Sequence, residues 1–340
     1  MKTIYAASYD AQDKGIDILK FDESTQSLKL LNKKKTEDIP TYLINHQEKL
    51  FVCYKNQNAC GNRGGIQVFN LDDHLTSIAH QGVQGKSYTH LAVTKDEKFI
   101  AAADYHTGSV DLYAFDGAEI GLLDIVFHEG KGPNPDRQQQ SHIHFVGFTP
   151  DEKLLYSIDL GNDLLRFYEY QDGELKHLPA KDVSCSPGAG PRHGVFSHDS
   201  NYFYLVNELD NTLQTYQVSE GGFELIHTTT TLPGGVLPES LAGAIRLSQS
   251  GQSLFISNRG FDSIAYFKLD PQTGAAMLKD VIPCKGHPRD LNIFDNRHLF
   301  VASLADSEIQ LFLVDEAQET VTDSGISLPL LKPVCLEFGK

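Results

Sequence analysis

Arg192-His-Gly-Val-Phe-Ser-His-Asp-Ser-Asn-Tyr-Phe-Tyr-Leu-Val-Asn207 reads as two short apolar-rich strands, parted by a polar turn and closed by an amide side chain. The same grammar runs through Thr89-His-Leu-Ala-Val-Thr-Lys-Asp-Glu-Lys-Phe-Ile-Ala-Ala-Ala-Asp104 and His144-Phe-Val-Gly-Phe-Thr-Pro-Asp-Glu-Lys-Leu-Leu-Tyr-Ser-Ile-Asp159. It returns at Gly243 to Asn258 and, less cleanly, at Arg289 to Ser303. Weaker copies begin near Pro40 and at the N-terminus. One apolar residue early in the second strand can be followed through every copy: Ile4, Phe51, Ile100, Leu155, Phe203, Leu254 and Phe300. The spacings are 47, 49, 55, 48, 51 and 46 residues.

A third strand-like run follows most copies, as in Ser109-Val-Asp-Leu-Tyr113, Thr212-Leu-Gln-Thr-Tyr216 and Ser263-Ile-Ala-Tyr-Phe267, and a more variable fourth run leads to the next. Seven units of about four strands predict an all-β chain, a seven-bladed β-propeller of four-stranded antiparallel blades. Each unit stacks on the next because a lone four-stranded sheet cannot bury both faces. Two β-sandwiches would leave the single period unexplained. The first copy starts at its second strand, so Lys332-Pro-Val-Cys-Leu-Glu-Phe338 is expected to supply the missing inner strand and close the ring. No linker interrupts the series, which predicts one domain over residues 1–340. The Gly-, Pro- and Gln-rich insert from Phe127 to Ser141 reads as a loop.

Composition narrows the partners. A net charge of −16 argues against nucleic acid and anionic membranes, yet a few clustered arginines can still hold a small anion. The five cysteines (Cys53, Cys60, Cys185, Cys284 and Cys335) are widely spaced and show no zinc pattern, which predicts reduced thiols. No signal-peptide core and no long apolar run is present, so the expected setting is cytoplasmic, without a membrane span. No cofactor is expected, and the chain is expected to act as a monomer or weak homo-oligomer.

Aligned copies place unlike residues at like positions, and that is where function should show. On the inner strand one position holds Thr89, His144, Arg192, Gly243 and Arg289. A packing position would keep one apolar type, whereas this one collects His and Arg, as expected of a strand lining a solvated channel. At the end of the second strand Asp104, Asp159, Asn207 and Asn258 recur, which predicts a structural role in binding the backbone of the next loop. The following position varies, as Tyr105, Leu160, Glu208 and Arg259. Glu208 and Arg259 are therefore candidate site residues. Arg192 and Glu208 lie 16 residues apart, near the ends of successive strands. His142 and His144 are two apart on one strand and should share a face. No third ligand is evident, so a polar pair is preferred to a metal site. His74, His80, His177, His227 and His298 read as solvated surface.

Arg137-Gln-Gln-Gln-Ser-His-Ile-His144, Asp159-Leu-Gly-Asn-Asp163, Gly188-Ala-Gly-Pro-Arg-His193, Val206-Asn-Glu208, Ile256-Ser-Asn-Arg-Gly260 and His287-Pro-Arg-Asp290 resemble the lactonase family of seven-bladed propellers, over nearly the whole chain. That family includes bacterial 6-phosphogluconolactonases and fungal carboxymuconate-lactonising enzymes. The resemblance implies a catalytic set of His144, Arg192, Glu208 and Arg259, with His142, His193, Arg289 and Arg137 as substrate-binding candidates. It implies a small anionic sugar-phosphate lactone as substrate, hydrolysed in the pentose phosphate pathway, without a metal. Glu208 or His144 would be the general base, an arginine would stabilise the oxyanion, and the other arginines would hold phosphate. A muconate-type cycloisomerase or other lactonase, and a non-catalytic binding propeller, remain open on the residues alone. The departures from the family are Ser141, Arg246 and Ser303-Leu-Ala-Asp306.

Overall fold

The computed structural model describes residues 1–55, 57–58, 61–72, 74–234 and 239–339. Cys60 lies outside them. The described residues form seven antiparallel sheets, with one short 3₁₀ turn and no helix long and apolar enough to cross a membrane. Six sheets are built from consecutive strands. The remaining sheet has the order Ser27–Lys35, Gly15–Asp22, Lys2–Ser8 and Pro333–Phe338, so the C-terminal strand completes it as the sequence predicts. The architecture is a seven-bladed β-propeller.

Contacts divide the chain into two compact units. One comprises Met1–Lys2, Lys20–Leu30 and Pro191–Leu336, and the other Thr3–Leu19, Leu31–Gly190 and Glu337–Lys340. In each, the core lies between successive sheets. In the first unit, Phe255, Tyr266 and Ile264 pack with Leu291, Val301 and Phe312 of the following sheet. In the second, Phe51, Ile66 and Val68 pack with Leu91, Ile100 and Tyr113. The tracked apolar residues Ile4, Phe51, Ile100, Leu155, Phe203, Leu254 and Phe300 are all fully buried, which explains why their identity class persists.

One irregularity repeats. In six sheets the inner strand slips register near its start, after Pro40, Tyr88, Ile143, Pro191, Ala242 and Pro288. The slip leaves Thr41, Thr89, His144, Arg192, the Gly243–Ala244 pair and Arg289 without a cross-strand partner. A β-bulge bends its strand and re-aims the extra residue's side chain. The variable register position picked out by the sequence is this bulge.

The recurrent Asp braces it. Asp104 accepts from the backbone N–H of Ser87 before the bulge (3.0 Å), and of His106 (3.0 Å) in the next loop. Asp159 does the same with His142 (2.9 Å) and Gly161 (3.0 Å). The amides differ from that expectation. Asn207 donates to Thr212 Oγ1, and Asn258 donates to the Thr231 carbonyl while accepting from its hydroxyl.

Candidate active site

Glu208 is the hub. It follows the strand Tyr202–Asn207 and is 1% exposed. Its Oε2 lies 3.0 Å from Nε of Arg192 and 2.6 Å from Nη2 of Arg259. Arg192 is 2% exposed, so this is a desolvated ion triad rather than a surface pair. Arg259 is held further by donating to the carbonyls of Leu241 (Nε, 3.2 Å) and Ala242 (Nη2, 2.7 Å). These carbonyls adjoin the bulge of its own sheet. Gly243, on that bulge, packs against Ser257 beside the guanidinium. A Cβ there would sit 2.4 Å from Ser257 Oγ and 3.4 Å from Arg259 Nε.

The triad leaves donors over. The buried Nε and Nη1 of Arg192 lack hydrogen-bond geometry to any acceptor, so the 3.0 Å contact to Glu208 is a charge contact only. Burial, followed by the nearby Arg259 and Arg289, pulls the Arg192 proton affinity well below its usual value, against the opposing pull of Glu208 and Asp290. Arg289, half-buried on the bulge of its own inner strand, thus belongs to the same field. It makes no hydrogen bond or ion pair among the described residues. Arg246, one of the departures from the family pattern, is neutralised locally. Its Nη2 donates to Asp290 at 2.9 Å, and Asp290 also accepts from the Leu336 N–H.

One residue of this field escaped the sequence reading. His287 feels Arg259, Arg289 and Arg192, and burial together with these cations pushes its imidazole down to about 4. The resemblance motif His287-Pro-Arg-Asp290 contained it, but its place outside the repeated strand frame hid it. His193, beside Arg192, is buried.

The histidine pair sits in the other unit. His142 stacks on Tyr105 (4.3 Å between centroids, 16°) and shares a hydrogen bond with its carbonyl through Nδ1 (2.8 Å). His144 meets the same ring edge-on at 5.7 Å. Strict alternation does not bring them together, since the bulge at His144 breaks it. Tyr105, the variable residue after Asp104, does. Arg137 is half-buried in the insert, whose fold is pinned by Gln138 donating to Asp163 Oδ1 and the Leu160 carbonyl. Asp163 in turn accepts from the N–H groups of Gly188 (2.6 Å) and Gly190 (2.7 Å), fixing the loop that leads into Arg192.

His298 corrects an expectation. It is buried against Phe21 and Phe294, with Nδ1 3.0 Å from Asp295, because it opens a second strand whose first residues face the core. Among the described residues, Glu23, Asp295 and His298 are the group with ligand atoms within 4.8 Å of one another. An open groove at Asn296, Arg297, Asp315 and Glu316 contains none of the candidate residues.

Within a repeated propeller scaffold, one buried carboxylate thus holds an arginine from an inner-strand bulge and another from the end of a second strand. Over residues 3–338 the chain matches the family described as Lactonase, 7-bladed beta-propeller. It is 32% identical over 311 residues to the 6-phosphogluconolactonase of Bacillus subtilis (strain 168), covering 88% of this chain and 87% of that protein. A putative 6-phosphogluconolactonase from Bacteroides fragilis superposes with a TM-score of 0.89 at 28% identity, covering 100% of this chain and 98% of that one. The periplasmic gluconolactonase of Pseudomonas aeruginosa gives 0.92 at 25% identity, covering 100% and 99%. The chain belongs to the seven-bladed β-propeller lactonase family. Its chemistry is lactone hydrolysis.

Proposed function

We propose that the substrate is a phosphorylated sugar-acid lactone, 6-phospho-D-glucono-1,5-lactone, opened to 6-phosphogluconate in the cytoplasmic pentose phosphate pathway. The observation that carries this reading is a surplus of guanidinium donors. Among the described residues Arg192 has buried N–H groups without an acceptor and Arg289 has no hydrogen-bond or ion-pair partner, within a chain of net charge −16. Such a local cationic site suits an anionic ligand and the oxyanion of an acyl transfer. The Bacillus relative carries the corresponding name.

In the reaction, water adds to the lactone carbonyl and gives up a proton. The carbonyl oxygen takes on charge, the bond from C1 to the ring oxygen breaks, and the ring oxygen receives a proton. Arg192 and Arg259, locked by Glu208, present N–H groups for the developing oxyanion. Glu208 is then an organiser rather than the base, because its Oε2 already faces two guanidinium groups. His144 is our candidate for the proton acceptor, since it holds in its sheet the bulge position that Arg192 holds in its own. His142, His193 and Arg137 stand as substrate contacts. A histidine base typically supplies about 10²–10⁴-fold.

Purified protein should turn over the phosphorylated lactone in preference to glucono-1,5-lactone. Glu208→Gln should cut kcat by about 10²-fold or more, through displaced arginines. His144→Ala should lower kcat within the range given above for a histidine base. Equal turnover of the two lactones would sink the phosphate assignment, and an unaffected Glu208→Gln enzyme would sink the organising role.

A further inference from the structure

We infer that His287 and Arg289 form a proton-coupled subsite for the phosphate group, an assignment that rests on the phosphorylated-lactone reading above. Both stand at the entry of the inner strand Pro288–Phe294. The His287 backbone is clamped there. Its N–H donates to Asp262 Oδ1 at 2.7 Å, and its carbonyl accepts from the Leu304 N–H at 3.0 Å. Its φ of +55° is in the left-handed region, uncommon for a side chain larger than glycine, and Pro288 restricts the next residue. The backbone therefore fixes where the side chain leaves the strand. Neither that imidazole nor the Arg289 guanidinium has a hydrogen-bond partner among the described residues.

The charges facing the imidazole are Arg259, Arg289 and Arg192, with Asp262 opposing them. Asp262 is already occupied by the N–H groups of Gly260 and His287. Glu208 is engaged by Arg192 and Arg259, and Asp290 by Arg246 and the Leu336 N–H. A neutral imidazole thus stands in a field that three arginines dominate and Asp262 opposes in part. Burial is the larger reason the ring is unprotonated, and the cations add to it; a divalent anion placed among these groups offsets the cations' share. The imidazole then gains a proton as the anion binds, and donates a charge-assisted hydrogen bond to it. A phosphate monoester, with two charges and three terminal oxygens, fits the Arg289 guanidinium and an imidazole, backed by the charge of Arg192 and Arg259, better than a single carboxylate does.

Linkage makes this testable, since an anion that raises a group's proton affinity must itself bind more tightly as that group protonates. Sulfate is the probe, because it stays divalent across the range. By titration calorimetry, the wild-type protein should bind sulfate about tenfold more tightly at about pH 5.5 than at about pH 8. His287→Gln and His287→Asn should flatten that slope, and Arg289→Gln should weaken binding about tenfold at every pH. In kinetics, the ratio of kcat/KM for the phosphorylated lactone to that for glucono-1,5-lactone should fall about tenfold or more in the His287 and Arg289 variants. The same pH slope in wild type and both His287 variants would overturn the proton coupling. An unmoved ratio in all variants would overturn the subsite. Wild-type protein that binds sulfate with the His287-dependent slope, yet ignores the phosphorylated lactone, would refute the substrate reading and leave the anion subsite standing.

Discussion

Glu208 was legible as a candidate because it broke a repeated pattern, and its partners were legible for the same reason. What the pattern did not disclose was the role. Two guanidinium groups on one carboxylate oxygen make Glu208 a scaffold for arginines, and only coordinates reveal that sharing. Gly243 is the counterpart. In sequence it is a gap in the His and Arg column, whereas in the structure it is the space that Ser257, beside Arg259, needs. Gly243→Ala should therefore cost about 1–3 kcal/mol of stability by overpacking, and should lower kcat more than it raises KM. Chemical denaturation and steady-state kinetics on one preparation would check both. His287 was missed because it lies outside the strand frame, and its orientation comes from a left-handed turn that composition does not advertise.

The inner-strand bulge is the element that sets His144, Arg192 and Arg289 apart from the regular strand pairing. It converts a period-two strand into one that re-aims a single residue, and each sheet then fills that position differently. Apolar periodicity located the strands, but a one-residue slip leaves the hydrophobic pattern nearly intact and so stays hidden. The bulge at His144 also depends on a buried network behind it. Asp159 accepts from Ser141 Oγ (2.8 Å) and from the His128 ring through Nδ1 (3.0 Å), while Nε2 of His128 faces the Tyr168 hydroxyl. Burial pushes the His128 proton affinity below 6.5, against the opposing pull of Asp159. Above that pH the ring is neutral in folded and unfolded chains alike, and the network costs nothing. Below it the unfolded chain takes the proton first, so stability falls with pH until the folded ring protonates. His106 and His287 shift in the same direction and add to the slope. The urea midpoint should drop between about pH 7 and about pH 5, and less steeply in His128→Gln. An identical slope in that variant would exclude His128 as a contributor.

At the scale of the molecule, the first sheet takes its fourth strand from the other end of the chain. Val334, Cys335 and Leu336 are buried there, and the Leu336 N–H satisfies Asp290 beside the arginine field. Ending the chain at Lys332 should thus cost about 5 kcal/mol or more in buried apolar surface alone. It should also release Asp290 and disturb Arg246. Loss of a cooperative thermal transition, with activity falling in parallel, is the expected result. A truncated chain with an unchanged transition would show the closure to be dispensable.

The sequence by itself determined the all-β class, the number of sheets, the strand that completes the first one, and the columns from which the candidate residues are drawn. These follow from burial, which needs only the spacing and type of apolar residues. The tertiary structure alone decided which polar residues meet, that Glu208 faces two arginines, that Arg289 has no partner among the described residues, and that His287 lies in their field. Those outcomes depend on bulges, left-handed turns and the space left by one glycine. They are fixed by backbone geometry at a few ångströms, where many different sequences share the same hydrophobic pattern.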